Sequence, residues 1–494
     1  MTSSRLRVLI AATEIYPLAK TGGLADAAAA LGAALVEIGF DVHFVMPAYA
    51  QALEQIWADG SLQPLPNING LEGGMLLSGK MPDSGVPVHL VDLPTLYRDG
   101  GELYVDASGQ ARGDNPQRFA AFAHAACELA LGDLELPGFD IVHCNDWQAG
   151  LIPLLLQIRA GAEAPATVFT IHNMAFQGQC PAEQWGELGV PLRPEQWPRV
   201  EYYGQASFLK AGLEFADQLT AVSPRYAEEI QTSEFGFGME GIIQARRESL
   251  TGILNGIDVS IWSPERSPWI AAPYSVNSLT GKARCKQQVQ QELGLETDPS
   301  APLMTFIGRL TWQKMADVLL EALPRYFEAE PDRQFVLLGN GDRALEARYL
   351  ALAATYPGRM AALIDYTEER AHQLHAGADI LIHGSRFEPC GLTQMYSMRF
   401  GTIPVVRPVG GLADTVLDYS PESQASGLAS GFQFEDPSPE GMLEGIQRAI
   451  ELYRQPESWL ALQRTAMTQD HSWSASARAY AGVYERARAG RAGG

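Results

Sequence analysis

The chain has 494 residues, 46% of them hydrophobic, and a formal net charge of −22. That length exceeds what one hydrophobic core supports, so two domains are the default. The acidic balance excludes an extended polyanion such as nucleic acid as partner, but neither a neutral polymer nor a small anion held by a few local cations.

The apolar, β-branched run Arg7–Glu14 is short and soon followed by Pro17, so it reads as a first strand and not as a signal peptide or membrane span. After the loop Ile15–Gly23, a helical pattern runs from Leu24 to about Ile38 and stops at Gly39, and Asp41–Met46 follows as a strand. Strand, glycine-containing loop, helix and strand make the repeating unit of a doubly wound sheet. Val86–Leu93, Phe139–His143, Thr167–His172 and Gln218–Val222 continue as strands, with a helix at Pro116–Leu131, and the turn-rich Gly252–Asp258 closes the first half. Beyond the irregular stretch Trp262–Ser278, strands are predicted at Leu303–Gly308, Gln334–Leu338, Ala361–Ile364, Ile380–His383 and Thr402–Val406. A helix at Ser474–Ala487 and a disordered Gly/Arg tail end the chain. The fold class is therefore α/β with two Rossmann-like, doubly wound domains, residues 1–250 and 251–468, and a terminal segment 469–494.

Gly22-Gly23-Leu24-Ala25-Asp26 recurs as Gly410-Gly411-Leu412-Ala413-Asp414, each copy after a predicted strand and at the start of a predicted helix. Paired glycines there let an anion approach exposed amides at the positive end of a helix. Lys20 adds a cation to the first copy, without the spacing of a Walker A loop. Arg309, at the end of the strand Leu303–Gly308, and Lys314 five residues on suit a leaving diphosphate. Glu388, in Arg386-Phe387-Glu388-Pro389-Cys390-Gly391-Leu392-Thr393, is a carboxylate able to accept from sugar hydroxyls, unless it simply pairs with Arg386. Asp146 and His172 stand at strand ends without the spacing of metal ligands. The five cysteines (Cys127, Cys144, Cys180, Cys285, Cys390) include no Cys-x-x-Cys pair and read as reduced thiols of a cytoplasmic protein.

Lys20–Asp26, Phe208–Gly212 with Ala221–Pro224, Leu254–Asp258, Gly308–Leu310, Glu388–Leu392 and Gly410–Asp414 together resemble the bacterial glycogen synthase and starch synthase family, GT-B glycosyltransferases of the family 5 type, over nearly the whole chain. The resemblance implies two Rossmann-like domains facing across a cleft, with the last helix crossing back to the first domain. It implies ADP-glucose as donor, glycogen or another 1,4-α-glucan as acceptor, retention of the α configuration, and neither a metal nor another cofactor. It also implies residue roles. Lys20, Gly22 and Gly23 contact the donor, Asp146 and His172 line the reaction centre, Arg309 and Lys314 bind the diphosphate, and Glu388 holds the sugar. Asn255, Tyr366, Cys390, Gly391, Leu392, Thr393, Gly410 and Gly411 complete the substrate contacts. Asn145 and Gln148 stand where relatives usually carry histidines, Met315 where they carry glycine, and Pro408-Val409 where they carry Arg-Thr. The rival readings are a GT-B enzyme with another sugar nucleotide or acceptor, and a non-catalytic glucan-binding relic.

Overall fold

The computed structural model describes residues 5–56, 61–66, 71–98, 101–106, 109–134 and 136–492. The chain divides into two compact units, Met1–Gly256 with Trp473–Gly494, and Ile257–Ser472. The passage between them falls after the Leu254-Asn255-Gly256 turn and not at residue 250, because Leu250–Gly252 is itself the edge strand of the first sheet.

Among the described residues the first unit holds a nine-stranded sheet. In chain order its strands are β1 (Arg7–Ala11), β2 (Asp41–Pro47), β3 (Ser61–Pro64), β4 (Met75–Lys80), β5 (Pro87–Asp92), β6 (Ile141–Asn145) and β7 (Ala166–Ile171). After a small antiparallel sheet of β8 (Gln179–Pro181), β9 (Glu201–Tyr202) and β10 (Gln205–Ser207) come β11 (Gln218–Ala221) and β12 (Leu250–Gly252). The spatial order is β12-β11-β7-β6-β1-β2-β5-β4-β3, parallel from β12 to β5 and antiparallel at the β4 and β3 edge. Val8, Leu9, Ile10 and Ala11 are fully buried, as a central parallel strand covered on both faces requires, and for that reason the run shows no alternation.

The second unit has a six-stranded, all-parallel sheet. Its strands are β13 (Leu303–Ile307), β14 (Gln334–Leu338), β15 (Met360–Leu363), β16 (Ile380–His383), β17 (Ile403–Val406) and β18 (Phe432–Gln433), in the order β15-β14-β13-β16-β17-β18. Functional loops are expected beyond the carboxyl ends of such strands. Glu14, Asp146 and His172 follow β1, β6 and β7; Arg309, Glu388 and Gly410 follow β13, β16 and β17.

The last helix, Trp473–Ala492, belongs to the first unit. Tyr484 is fully buried and its hydroxyl lies 2.9 Å from His143 Nδ1, while Ser476 Oγ donates to Leu254 O at 2.6 Å. The tail is ordered where a disordered Gly/Arg segment was expected: the helix continues to Ala492, and of the tail Gly493 and Gly494 alone lie outside the described residues. Arg491 supplies the reason, donating from Nε to Asp217 Oδ2 at 2.7 Å and from Nη1 to the carbonyls of Gly161 and Ala164. No helix among the described residues is long and apolar enough to cross a membrane.

Candidate active site

In the first unit the glycine loop has an occupant that sequence reasoning missed. Gly22 caps the helix Gly23–Glu37, but the amides of Thr21 and Gly22 both donate to Glu14 Oε2, at 2.5 and 3.0 Å. Tyr104 Oη donates to the other oxygen at 3.0 Å and lies 2.8 Å from Thr13 Oγ1. Burial pushes the Glu14 carboxyl above its ordinary range, against the pull of the two amides. The amides left for an external anion are those from Gly23 onward, which have no carbonyl behind them in the first turn. Lys20 Nζ donates to Asp26 Oδ1 at 2.9 Å. The only hint in the sequence was a lone carboxylate closing an apolar run.

Asp146 sits where β6 gives way to a short 3₁₀ turn, at φ 58° and ψ −178°, an extended positive-φ conformation that residues other than glycine rarely adopt. Burial pushes its pKa up to about 7, although the amides of Asn173, His172 and Trp147 favour the ionised form. Its Oδ1 is buried and has no partner among the described residues.

His172 follows β7, and its ring is pushed down to about 3 by burial, so it is neutral. Asn145 sets its tautomer. The Asn145 amide nitrogen donates to Ala11 O and His143 O, both at 3.3 Å, which leaves Oδ1 facing His172 Nε2 at 3.0 Å. An amide oxygen only accepts, so Nε2 carries the hydrogen and Nδ1 keeps its lone pair. Asn255 lies in the same unit, with its side chain buried and its amide donating to Val222 O at 3.3 Å.

In the second unit Lys314 and Glu388 come together. Lys314 Nζ is ion-paired with Glu388 Oε2, which also accepts from Ser385 Oγ at 3.0 Å and lies 3.2 Å from His383 Nε2. Burial alone would raise the Glu388 carboxyl, but Lys314 and His383 hold it well below the usual carboxylate range. Burial and the lysine charge hold His383 neutral. The pairing of Glu388 with Arg386 is thereby excluded: Arg386 makes a bidentate contact with Asp317, at 2.9 and 2.8 Å, under the exposed ring of Trp312. Arg309 is exposed, whereas Lys314 is mostly buried against its carboxylate, so the two cations expected at one diphosphate have different surroundings. Met315 stands at φ 52°, which explains why a glycine would serve at that position.

The second glycine pair does not do what its sequence suggests. It opens a helix of only five residues, Gly411–Thr415, and the Gly411 amide donates inward to Glu388 O at 3.1 Å. A Cβ on Gly410 would stand 1.9 Å from Glu388 O, and one on Gly411 2.1 Å from Cys390 O. These glycines let two loops touch and so fix the backbone that carries Glu388. Gly410→Ala, at φ +45°, is expected to cost about 1–3 kcal/mol from backbone strain, with the clash against the Glu388 carbonyl added to it, in urea unfolding, and to lower turnover as well. Cys390 is buried, Gly391 has φ 72°, and Leu392 precedes the helix that Thr393 begins. Tyr366 is 42% exposed, its amide bound to Asp365 Oδ1. Among the described residues no group of three or more His, Cys, Asp or Glu side chains is gathered as a metal would require.

Residues 7–245 match the starch synthase catalytic domain family, and residues 290–461 match glycosyl transferases group 1. A glycogen synthase of Burkholderia thailandensis is 50% identical over 96% of this chain and 90% of its own length. The chain belongs to the glycogen synthase and starch synthase family. A glycogen synthase of Ralstonia nicotianae is 48% identical over 97% of the chain and 88% of its own length. Among solved structures, the catalytic domain of starch synthase IV from Arabidopsis thaliana, bound to ADP and acarbose, superposes with a TM-score of 0.87 at 30% identity, covering 99% of this chain and 100% of that one. A sucrose-phosphate synthase from Thermosynechococcus elongatus, at 18% identity and a TM-score of 0.60 over 98% of this chain and all of that one, shares the GT-B fold. Family membership makes the chain a glucosyltransferase.

Proposed function

We propose that the chain transfers α-D-glucose from ADP-glucose to the non-reducing end of a 1,4-α-glucan, with retention of configuration. The observation that carries this reading is the 50% identity, over 96% of the chain, to a relative named a glycogen synthase.

As the glycosidic bond lengthens, positive charge grows on the sugar and negative charge on the departing diphosphate. In this reading Arg309, Lys20, Lys314 and the amides from Gly23 onward receive the anion, and Tyr366 offers an exposed ring to the nucleotide base. Glu388, held ionised, accepts from sugar hydroxyls. His172 accepts a hydroxyl hydrogen at Nδ1 and, being neutral, adds no positive charge beside the oxocarbenium. Asp146 presents its unpartnered oxygen to the reaction centre. Attack comes from the face the leaving group departs, and the leaving phosphate oxygen takes the acceptor proton, so neither a metal nor another cofactor enters the scheme. A glucosyl adduct on Asp146 or Glu388 in mass spectrometry would overturn that step.

The test of the whole reading is a donor panel with glycogen as acceptor. ADP-glucose should lengthen glycogen chains and UDP-glucose should do so far less. Preference for UDP-glucose would overturn the donor, nucleotide release without chain growth would point to a small acceptor, and no turnover with any donor would indicate a glucan-binding relic.

A further inference from the structure

Two tight turns in the first unit are built against their own conformational preference. The hairpin of β9 and β10 closes with the two residues Tyr203-Gly204, both at positive φ, 49° and 82°. A turn of that type normally takes Asn-Gly, because a bulky side chain is strained there. Phe237-Gly238 repeats the pattern, at φ 50° and 81°. The two turns meet: Tyr202 Oη and Gln177 Nε2 both donate to Phe237 O, at 2.7 and 3.0 Å, and a Cβ on Gly238 would stand 2.3 Å from the Tyr202 hydroxyl.

The strain does not serve the core. Tyr203 is 82% exposed and Phe237 37%, and Phe176, next to Gln177, is 51% exposed. Backbone strain kept to display side chains to water marks function more often than packing. Hydrogen bonds also link these turns to the candidate site. The Asn173 amide faces Asp146, the Phe176 amide donates to Asn173 O at 3.2 Å, and Gln177 ties that loop to Phe237.

We propose that Phe176, Tyr203 and Phe237 form a landing surface for the body of a 1,4-α-glucan whose end is being elongated. A pyranose ring offers an apolar C–H face that packs on an aromatic ring, and hydroxyls at its edge that suit the amides of Gln177 and Gln179, which bond each other at 2.9 Å. A neutral polymer also brings no charge to a chain of net charge −22. The proposal rests on the glucan reading above but concerns polymer binding, not transfer.

Tyr203→Asn and Phe237→Asn install a residue these backbone conformations favour, so both variants should unfold at higher urea concentration than the parent. Each should bind glycogen about tenfold more weakly by retardation in glycogen-containing native gels. The KM for glycogen should rise in parallel while the KM for ADP-glucose holds. Parental retardation in both variants would overturn the proposal. So would parental self-association that the variants abolish while glycogen binding holds, which would assign the surface to a second copy. Glucose incorporation into glycogen by the parent, measured separately, tests the transferase reading itself.

Discussion

Asp146→Asn is expected to yield a protein that is more stable than the parent at pH 8 and nearly inactive. The stability half follows from the carboxyl's burial, which raises its pKa from 3.8 to about 7. A group whose folded pKa lies above its unfolded one contributes stability that is fully present below the unfolded value and is lost as pH rises through the folded value. At about 1.4 kcal/mol for each pH unit, the ionised carboxylate costs the fold about 4 kcal/mol once the pH exceeds 7. Asparagine has nearly the same shape and cannot ionise, so the exchange removes the charge and leaves the backbone strain at φ 58° and ψ −178° unchanged. The gain should therefore be up to about 4 kcal/mol at pH 8 and shrink toward zero near pH 4, read as the difference between parent and variant in urea unfolding.

The activity half follows from the same oxygen. Asp146 Oδ1 is buried and has no partner among the described residues, as an oxygen kept for a substrate group would be. Replacing the carboxylate by an amide removes a preorganised charge from the reaction centre and should lower kcat by about a hundred- to a thousand-fold. Parental activity should rise with pH through 7 as Asp146 ionises, and the variant's residual activity should lack that rise. A variant that is stabilised yet retains parental turnover would remove Asp146 from the reaction centre.

The central strands of the two sheets were legible because they are unbroken apolar runs buried on both faces: Leu303–Ile307 and Gln334–Leu338 need no partner to be recognised. The edge strand Ser61–Pro64 and the two- and three-residue strands β8 to β10 were not, since so few residues establish no period, and Met75–Lys80, the inner neighbour of Ser61–Pro64, was not because its burial neither alternates nor runs unbroken. The site was legible as a set of charged residues at strand ends, but not as a set of partnerships. Nothing in the spacing says that Glu388 takes Lys314 and leaves Arg386 to Asp317, because side-chain direction decides it. Nor does the repeated Gly-Gly-Leu-Ala-Asp say that one copy starts a helix of fifteen residues and the other a helix of five pressed against the Glu388 backbone. The terminal helix was cut short for a related reason. Its last turn is held by Asp217, 274 positions earlier, a contact with no local signature.

Lys314→Ala should remove most of the activity for a reason that Glu388→Gln can separate from damage to the fold. Both members of the pair are largely buried, with side-chain exposures of 17% and 8%. Deleting the lysine strands a buried carboxylate whose other side-chain partners among the described residues are Ser385 and His383, at an expected cost of about 3–5 kcal/mol. Losing one preorganised charged contact to the transition state is worth a further ~10²–10³ in kcat. The parent's Glu388 pKa is depressed, so its contribution to stability is present above the unfolded pKa and disappears as pH falls through the folded one. Without Lys314 that dependence should weaken or reverse, and the variant should be relatively more stable in acid than at pH 8. Adding Glu388→Gln to Lys314→Ala removes the stranded charge and should restore most of the stability while leaving transfer as low as in the single variant, a coupling that a double-mutant cycle measures directly. If the double variant recovered turnover together with stability, the pair would be a structural ion pair and not part of the transfer machinery; near-parental ADP release by Lys314→Ala alone would lead to the same conclusion.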